Sequence, residues 1–309
     1  MKKNQVLILD ETLLPNRVHY IKAKNSKAVV KAVKDMKTRA FGQVLAFFNG
    51  ALLTLEQNKN KINLENILKT AMSDFCNARP TLPFGAFSHL VNCWIEKAKE
   101  KNLDLYSFIK KNILGFLENT KNIALKRAQE VSQILQDNDT ILTHCNISGQ
   151  LVMIAQIART QGKKINFFVT ETRPYFQGSR LTAWELKKAG FEVTLICDNM
   201  IAKVMSEGKI DKVIVGSDHS AENGDIANKI GTYQLAVCAK EFNIPFYCLT
   251  QSLGKLPKTG SDIKIEIRPE KEFLFYQGKR FAPLGTHAYY PGFDITPSDL
   301  ITKRFSFSV

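Results

Sequence analysis

Residues 140–197 read TILTHCNISGQLVMIAQIARTQGKKINFFVTETRPYFQGSRLTAWELKKAGFEVTLIC, and they alternate short apolar runs with helical stretches. The same rhythm continues through KVIVGSD (212–218), a helix predicted over IANKIGTYQLAVCAKEF (226–242), and IPFYCLT (244–250). Strands that alternate with helices in this way predict a largely parallel sheet built from right-handed crossover units. We therefore expect a Rossmann-like carboxy-terminal domain.

The chain upstream of this region has a different pattern. Residues 27–136 place apolar side chains at spacings of three and four, which is typical of helices. We predict helices over 26–55, with Ser26 as N-cap, over 84–101 after Pro83, and over 107–136. A short β-hairpin is expected around residues 6–21. The fold class is thus α/β, with a helical amino-terminal domain over 1–125 and a Rossmann-like domain over 126–309.

Composition narrows the class of protein. The chain has 309 residues, 44% of them hydrophobic and 23% charged, which is typical of a soluble globular protein. Neither a leader peptide nor an apolar run of about 18 residues is found, so we expect a cytoplasmic protein without a membrane segment.

The formal net charge of +14 fits a lysine-rich solvated surface, attraction of anionic metabolites, or nucleic-acid binding. Lysines are spread along the chain, and no basic run is interleaved with aromatic residues. Nucleic acid is therefore the least favoured partner of the three.

Cofactor and metal signatures are missing from the sequence. The six cysteines have no C-x-x-C spacing and form no zinc pattern with the five histidines. We interpret most of them as small buried hydrophobic residues. No Gly-x-Gly-x-x-Gly or Walker-type loop follows the first strand, so NAD and ATP are not expected. Glycines after strands and helix N-termini suit the phosphate of a small molecule better.

Polar or reactive side chains follow four of the predicted strands, where an open parallel sheet binds its ligands. A core would favour apolar residues at these places, so the pattern predicts a functional site. The four groups are His144-Cys145-Asn146, Glu171-Thr172-Arg173 with Gln177, Cys197-Asp198-Asn199, and Ser217-Asp218.

Each candidate also has a structural interpretation. Cys145 is either a packed thiol or a catalytic one favoured by a helix N-terminus. Asp218 is either the N-cap of a following helix or an acid. Lys229, in a predicted helix, is expected on a solvated face. His144 is expected to orient its loop, Cys197 to lie in the core, and Asp198 to cap a helix.

Several long motifs occur in an order that resembles one known family. They are ILTHCN (141–146), ETRPYFQGSRLTAWEL (171–186), GFEVTLICDNMIA (190–202), DKVIVGSD (211–218), NGDIANKIGTYQLAV (223–237) and YYPGFDITPSDLIT (289–302). The chain resembles the translation initiation factor 2B alpha/beta/delta family, which includes the methylthioribose-1-phosphate isomerases. The resemblance covers almost the whole chain. It implies a cofactor-independent, homodimeric isomerase of a phosphorylated pentose in methionine salvage, converting 5-methylthioribose 1-phosphate to 5-methylthioribulose 1-phosphate.

The resemblance also implies roles for individual residues. Cys145 and Asp218 match the family's catalytic cysteine and aspartate, and non-catalytic relatives generally lack this pair. The substrate-binding positions of the family match Gln177, Asn228, Lys229, Arg79 of an Arg-Pro-Thr segment, and Arg39 of a segment that is Arg-Gly-Ala-Pro in the family.

Four stretches depart from the family pattern, one of which is a segment after Cys145 that is shorter than in the typical isomerase. Arg39 is followed by Ala-Phe-Gly, Asp218 is followed by His219 in place of arginine, and residues 250–262 (TQSLGKLPKTGSD) replace a loop near the active site. Because of these differences the resemblance does not determine the 5′ substituent of the substrate. Ribose 1,5-bisphosphate and 5-deoxyribose 1-phosphate are therefore alternative substrates. A non-catalytic regulatory subunit is the alternative from another class.

Overall fold

The computed structural model describes residues 4–80, 82, 84–252 and 256–308. Pro83 and part of the divergent 250–262 loop therefore lie outside the described residues. The chain forms two compact units, Met1–Asn122 and Ile123–Val309. The predicted α/β class is confirmed, with a helical amino-terminal part and a parallel sheet after it. That residues 126–309 act as a catalytic domain stays a prediction.

The first unit consists of a β-hairpin and helices. The predicted hairpin is confirmed, because its two strands pair antiparallel. The elements are β1 (Val6–Leu9), β2 (Tyr20–Ala23), α1 (Ser26–Lys34), α2 (Phe41–Asn58), α3 (Leu64–Ala78), α4 (Phe84–Glu100) and α5 (Leu105–Gln133), whose end belongs to the second unit.

The predicted single helix over 26–55 is wrong, since α1 and α2 are separate. Between them Met36 and Ala40 have φ values of 55° and 43°, which a right-handed helix does not accept. The N-cap prediction is also wrong by one residue. The side chain of Asn25, not Ser26, accepts the hydrogen bond from the Ala28 N–H at 2.9 Å.

Aromatic side chains fill the core of the first unit. The Phe47 ring is fully buried, with centroids 5.2 Å from Phe48, 5.2 Å from Phe75 and 5.4 Å from Phe84. Burying each such side chain contributes about 1.5–3 kcal/mol. Helices α2, α3 and α4 are therefore held together by one apolar cluster.

The second unit alternates strands with helices, as predicted for β3 to β6 and for β9. Its elements are β3 (Thr140–Thr143), α6 (Gln150–Thr160), β4 (Asn166–Thr170), α7 (Ala183–Lys188), β5 (Glu192–Ile196), α8 (Ile201–Ser206), β6 (Lys212–Gly216), β7 (His219–Ser220), β8 (Ile226–Lys229), α9 (Thr232–Glu241), β9 (Phe246–Ser252), α10 (Glu270–Leu274), β10 (Phe275–Tyr276), β11 (Lys279–Arg280), β12 (Phe293–Thr296) and β13 (Lys303–Ser308).

The main sheet has six parallel strands in the order β13-β9-β6-β3-β4-β5. Successive side chains of its central strands enter opposite cores. Ile141 and Ile214 pack into one cluster, while Leu142, Val213 and Val215 pack into the other. Both faces are thus covered, which explains why these strands are continuous apolar runs.

The helix predicted over 226–242 is partly wrong. Residues Ile226–Lys229 form strand β8 in a small antiparallel sheet of order β12-β8-β7. Helix α9 starts only at Thr232, after Gly231 with a φ of 104°. Strand β12, the partner of β8, is distant in sequence, so no local pattern signals their pairing. As a result Lys229, predicted on a solvated helix face, is buried in a strand.

No helix within the described part of the chain is both long enough and apolar enough to cross a membrane.

Candidate active site

The main sheet reverses its strand order between β3 and β6. From β3 the chain proceeds through β4 and β5 on one side, and from β6 through β9 and β13 on the other. Such a switch point opens a crevice at the carboxyl ends of the two strands. Cys145 and Asp218 each lie two residues beyond the end of one of these strands. The topology therefore brings the predicted thiol and carboxyl to one crevice.

Cys145 has a strained backbone that its neighbours hold in place. Its φ is 65°, a left-handed conformation that costs a non-glycine residue about 1–2 kcal/mol. Its N–H donates to Thr172 Oγ1 at 3.0 Å, and its carbonyl accepts from Thr182 Oγ1 at 2.6 Å. Strain of this kind is often found at functional sites, where the surroundings determine the conformation. The side chain is half-buried.

The loop after β4 is fixed by Asp198. Its two carboxylate oxygens accept hydrogen bonds from the N–H groups of Thr172 and Arg173, both at 2.7 Å. Asp198 therefore clamps a neighbouring strand end, and the prediction that it caps a helix is wrong. Cys197, predicted in the core, is exposed.

Asp218 lies in the turn between β6 and β7. Its N–H donates to the Ala227 carbonyl at 2.9 Å, and no helix follows it for its side chain to cap. Solvent reaches the side chain, yet surrounding protein atoms crowd it. The resulting loss of hydration raises the pKa of the carboxyl, against the opposing charges of Lys229 and His219. A raised pKa favours the protonated acid, which is the form that can donate a proton.

Lys229 supplies positive charge beside this carboxyl. Its ammonium group donates to the Gly292 carbonyl at 3.0 Å and lies 4.8 Å from the centroid of the Phe293 ring. The lysine charge acts on Asp218 and also on His144, the residue before Cys145. The lysine thus lies close to both strand ends.

Asn228, the residue before Lys229, is buried in strand β8. Its amide nitrogen donates to Thr232 Oγ1 at 2.9 Å. This hydrogen bond fixes the orientation of the amide.

Gln177 carries a buried polar atom without a partner. Its Oε1 makes no hydrogen bond within the described part of the chain. A π-helical turn, Gly178–Thr182, follows directly, and such turns are frequent at functional sites. A Cβ on Gly178 would lie 1.8 Å from the Thr170 carbonyl oxygen, so only glycine allows this approach. The orphan oxygen is therefore a candidate ligand contact.

The two predicted arginines lie in the first unit. The Arg79 guanidinium contacts the Met36 sulfur, and Met36 belongs to the loop that carries Arg39. The backbone N–H of Arg39 donates to Glu11 Oε1 at 3.3 Å. The structure thus brings the two arginines to the same loop. Their contribution to the crevice of the second unit stays a prediction.

Sequence reasoning missed a further acid, Asp294 on β12. Its carboxylate accepts from the N–H groups of Gly231 at 2.7 Å and Tyr233 at 3.1 Å. Burial raises its pKa to about 6 in spite of these bonds. The only sequence signal was its place in the YYPGFDITP motif. No spacing rule links it to β8, where it lies opposite Asn228.

The six cysteines are thiols, and most are less buried than predicted. Cys248 alone is buried, which raises its pKa to about 12 and makes it an inert core residue. Cys93 and Cys197 are exposed, and the other three are half-buried. No group of three or more potential metal ligands occurs among the described residues.

Residues 24–306 match the Initiation factor 2 subunit family. The chain belongs to this family. Among its relatives, the methylthioribose-1-phosphate isomerase of Thermosipho africanus is 38% identical to this chain. The match covers 97% of this chain and 90% of that relative. Methylthioribose-1-phosphate isomerase 1 of Pseudothermotoga lettingae is also 38% identical, with the same coverage. The resemblance inferred from the motifs is confirmed.

Two solved structures of the family resemble the chain over nearly its full length. The 5-methylthioribose 1-phosphate isomerase of Pyrococcus horikoshii OT3 has a TM-score of 0.90 at 32% identity, covering 99% of this chain and 89% of that one. The translation initiation factor eIF-2B delta subunit of A. fulgidus has a TM-score of 0.83, also at 32% identity, covering 97% and 91%. The family therefore includes proteins named as isomerases and proteins named as initiation factor subunits. The residues at the strand ends must distinguish these two functions.

Proposed function

We propose that the protein is an aldose–ketose isomerase that converts 5-methylthioribose 1-phosphate to 5-methylthioribulose 1-phosphate in methionine salvage. The observation that carries the proposal is the switch point of the sheet, where Cys145 follows β3 and Asp218, with its raised pKa, follows the neighbouring strand β6. The names of the bacterial relatives support it, since these match over 97% of the chain.

The substrate poses a specific chemical problem. Its phosphate blocks the anomeric oxygen, so the ring cannot open by losing a proton from that oxygen. An acid must instead protonate the ring oxygen while the bond from C1 to that oxygen breaks. Removal of the C2 proton then leaves a C1–C2 double bond. Protonation of C1 and loss of the O2 proton give the ketone, so atoms balance without any co-reactant.

In this proposal Asp218 donates the proton to the ring oxygen. Its crowded position favours the neutral acid, which is the form that can donate. Cys145 acts as the base at C2 or stabilises the transition state there. A proton transfer by a positioned side chain contributes about 10²–10⁴-fold to the rate.

The remaining predicted residues bind the substrate. Lys229, Arg39 and Arg79 supply positive charge for the phosphate, and an arginine fork suits bidentate contact with it. Gln177 and Asn228 orient sugar hydroxyl groups. The unpaired Oε1 of Gln177 supports its part in this assignment, because a hydroxyl donor from the sugar would satisfy it.

Kinetics with purified protein test the proposal. Cys145→Ser and Asp218→Asn are each expected to lower kcat on 5-methylthioribose 1-phosphate by about 100-fold or more. Cys93→Ser and Asp299→Asn, which change an exposed thiol and an exposed carboxylate, serve as matched controls and should keep wild-type turnover. Wild-type kcat in both crevice variants would refute the assignment.

The same assay separates the alternative substrates. Ribose 1,5-bisphosphate and 5-deoxyribose 1-phosphate undergo the same chemistry, so a higher kcat/KM for either would change the substrate and keep the mechanism. The second candidate function for this protein is that of a non-catalytic regulatory subunit, because the A. fulgidus relative is named as a delta subunit of an initiation factor. Turnover of none of the three sugars would favour that role.

The proposal also includes a homodimer acting in the cytoplasm. Both follow from the resemblance to the isomerases.

A further inference from the structure

The imidazole of His144 is buried where three chain segments of the second unit meet. Only 1% of the residue is exposed. Its Nε2 lies 2.9 Å from the Ile230 carbonyl oxygen, between β8 and α9. Its Nδ1 lies 2.6 Å from Thr170 Oγ1, at the end of β4. Both ring nitrogens are thus used in contacts between segments.

The partners determine which nitrogen carries the proton. A carbonyl oxygen can only accept, so Nε2 carries the hydrogen that it donates to Ile230. In the neutral ring Nδ1 then accepts from the Thr170 hydroxyl. Burial lowers the pKa of His144, and the Lys229 charge acts in the same direction, while Asp198 and the Ile230 carbonyl oppose it. The lowered pKa favours the neutral ring.

The backbone opposite the ring is shaped to receive it. A Cβ on Gly231 would lie 3.1 Å from His144 Cε1 and 3.2 Å from Nε2. Gly231 also has a φ of 104°, which side-chain-bearing residues rarely adopt. The glycine therefore gives the imidazole room to reach the carbonyl of Ile230.

These contacts join the two sides of the crevice. Cys145 N–H donates to Thr172 Oγ1, which lies 3.4 Å from the same Thr170 hydroxyl that bonds His144. On the other side of the ring, Ile230 directly follows Lys229. The hydrogen bonds therefore run from the backbone of Cys145, through the imidazole, to the backbone beside Lys229.

We infer that His144 is a positioning residue, which fixes the Cys145 thiol relative to Lys229 without itself transferring a proton. The inference rests on the proposed function for the role of Cys145. That the imidazole determines the position of the thiol can be tested without any isomerase activity.

The test measures Cys145 directly. Iodoacetamide labelling of the full-length protein, without substrate, gives the alkylation rate of each thiol by mass spectrometry. His144→Ala is expected to change the rate at Cys145 by roughly tenfold and to lower kcat by about 100-fold, because small misplacements of a reacting group have effects of this size. The rate at exposed Cys93, which lies in the first unit, should not change.

Conservative variants separate positioning from stability and from proton transfer. In His144→Gln the introduced side-chain amide can still donate to the Ile230 carbonyl, so this variant should recover most of the loss. Ile141→Val opens a small cavity in the same strand, β3, and should lower Tm while Cys145 labels at the wild-type rate. If His144→Ala does not fold, Thr170→Val removes the donor to Nδ1 and should change Cys145 labelling in the same direction.

Two outcomes would overturn the inference. One is wild-type labelling of Cys145 in His144→Ala, or in Thr170→Val where the alanine variant does not fold. The other is a pH–rate profile of His144→Gln that lacks a limb present in the wild type, which would make the imidazole a proton donor or acceptor. If labelling changes but no sugar phosphate is turned over by the wild type, the positioning holds and the proposed function fails.

Discussion

At the scale of single residues, the segments that follow β3 and β4 contain arrangements that packing alone does not favour. Cys145 adopts a left-handed backbone conformation, and the buried Oε1 of Gln177 has no partner within the described part of the chain. A buried acceptor without a partner costs about 1–3 kcal/mol. Such costs are expected where the folded chain is shaped to receive a ligand.

Replacing the amide of Gln177 should have opposite effects on stability and on binding. We expect Gln177→Leu to raise the free energy of unfolding by about 1 kcal/mol, since it removes an unsatisfied buried oxygen. It should also raise KM for 5-methylthioribose 1-phosphate by about tenfold through the lost hydroxyl contact. Urea unfolding and steady-state kinetics measure the two effects.

Gln150 provides the matched control for this substitution. It is 8% exposed, as Gln177 is, but its Oε1 accepts from the Arg127 guanidinium at 2.9 Å. Gln150→Leu should therefore destabilise the fold, because Arg127 loses an acceptor. Equal destabilisation by the two substitutions, with KM unchanged in Gln177→Leu, would contradict the assignment of Gln177.

At the scale of elements, helix α9 is held by a carboxylate from another strand. The helix lacks a side-chain cap of its own, and Asp294 of β12 accepts the N–H groups of Gly231 and Tyr233 at its first turn. The dipole of the helix favours the charged carboxylate and lowers its pKa, whereas burial raises the pKa. Burial prevails, since the pKa of Asp294 rises from an ordinary 3.8 to about 6.

This shift predicts a pH dependence of stability. The folded state holds the Asp294 proton more tightly than the unfolded state. The stabilisation from the protonated acid is therefore complete below pH 3.8 and is lost as pH rises through about 6. Relative to Asp294→Asn, the wild type should lose up to about 3 kcal/mol over this range.

Urea unfolding of both proteins at several pH values between 4 and 7 measures this difference. The other carboxyl groups titrate in both proteins and cancel in the comparison. Lys229 is the charged group that acts on Asp294 from β8, and it is present in both proteins. A difference between the two proteins that does not vary with pH would rule out the raised pKa.

At the scale of the whole molecule, the net charge of +14 should draw anionic ligands toward the protein. This attraction is screened by salt, because the Debye length falls from about 10 Å at 0.1 M to about 3 Å at 1 M. Residues in contact with the substrate are screened less than the surface lysines.

We therefore expect KM for the phosphorylated sugar to rise by about threefold or more between 0.1 M and 1 M NaCl, while kcat stays within about twofold. The inhibition constant of unphosphorylated 5-methylthioribose is the control and should change little. A KM that is independent of salt would show that the surface charge does not assist binding. Steep salt-dependent binding of RNA, without a response to sugars, would instead support nucleic acid as the partner.

Local patterns predicted the parts of the fold that depend on local order. The apolar runs of β3, β4, β6 and β9 predicted strands because a strand covered on both faces is largely apolar. β5 is an edge strand with exposed Glu192 and Leu195, and its place between two helical stretches predicted it. Helices α4 and α5 were predicted from their spacing, and the polar residues after β3 and β6 predict a site at the switch point of the sheet. The sequence motifs also identified the family.

Tertiary structure decided what depends on distant partners. Residues 226–229 have no strand signal of their own, and they become β8 because β7 and β12 supply their hydrogen bonds. The same pairing buries Lys229 and places Asp294 at the start of α9. The hydrogen bonds of Asp198 to the loop after β4, and of His144 to the Ile230 carbonyl, require segments that are distant in sequence to meet in space. Sequence alone thus determined which chemical groups lie at the strand ends, because burial imposes a local pattern. Only the folded chain determined their partners, because hydrogen bonds between segments leave no periodic trace in the sequence.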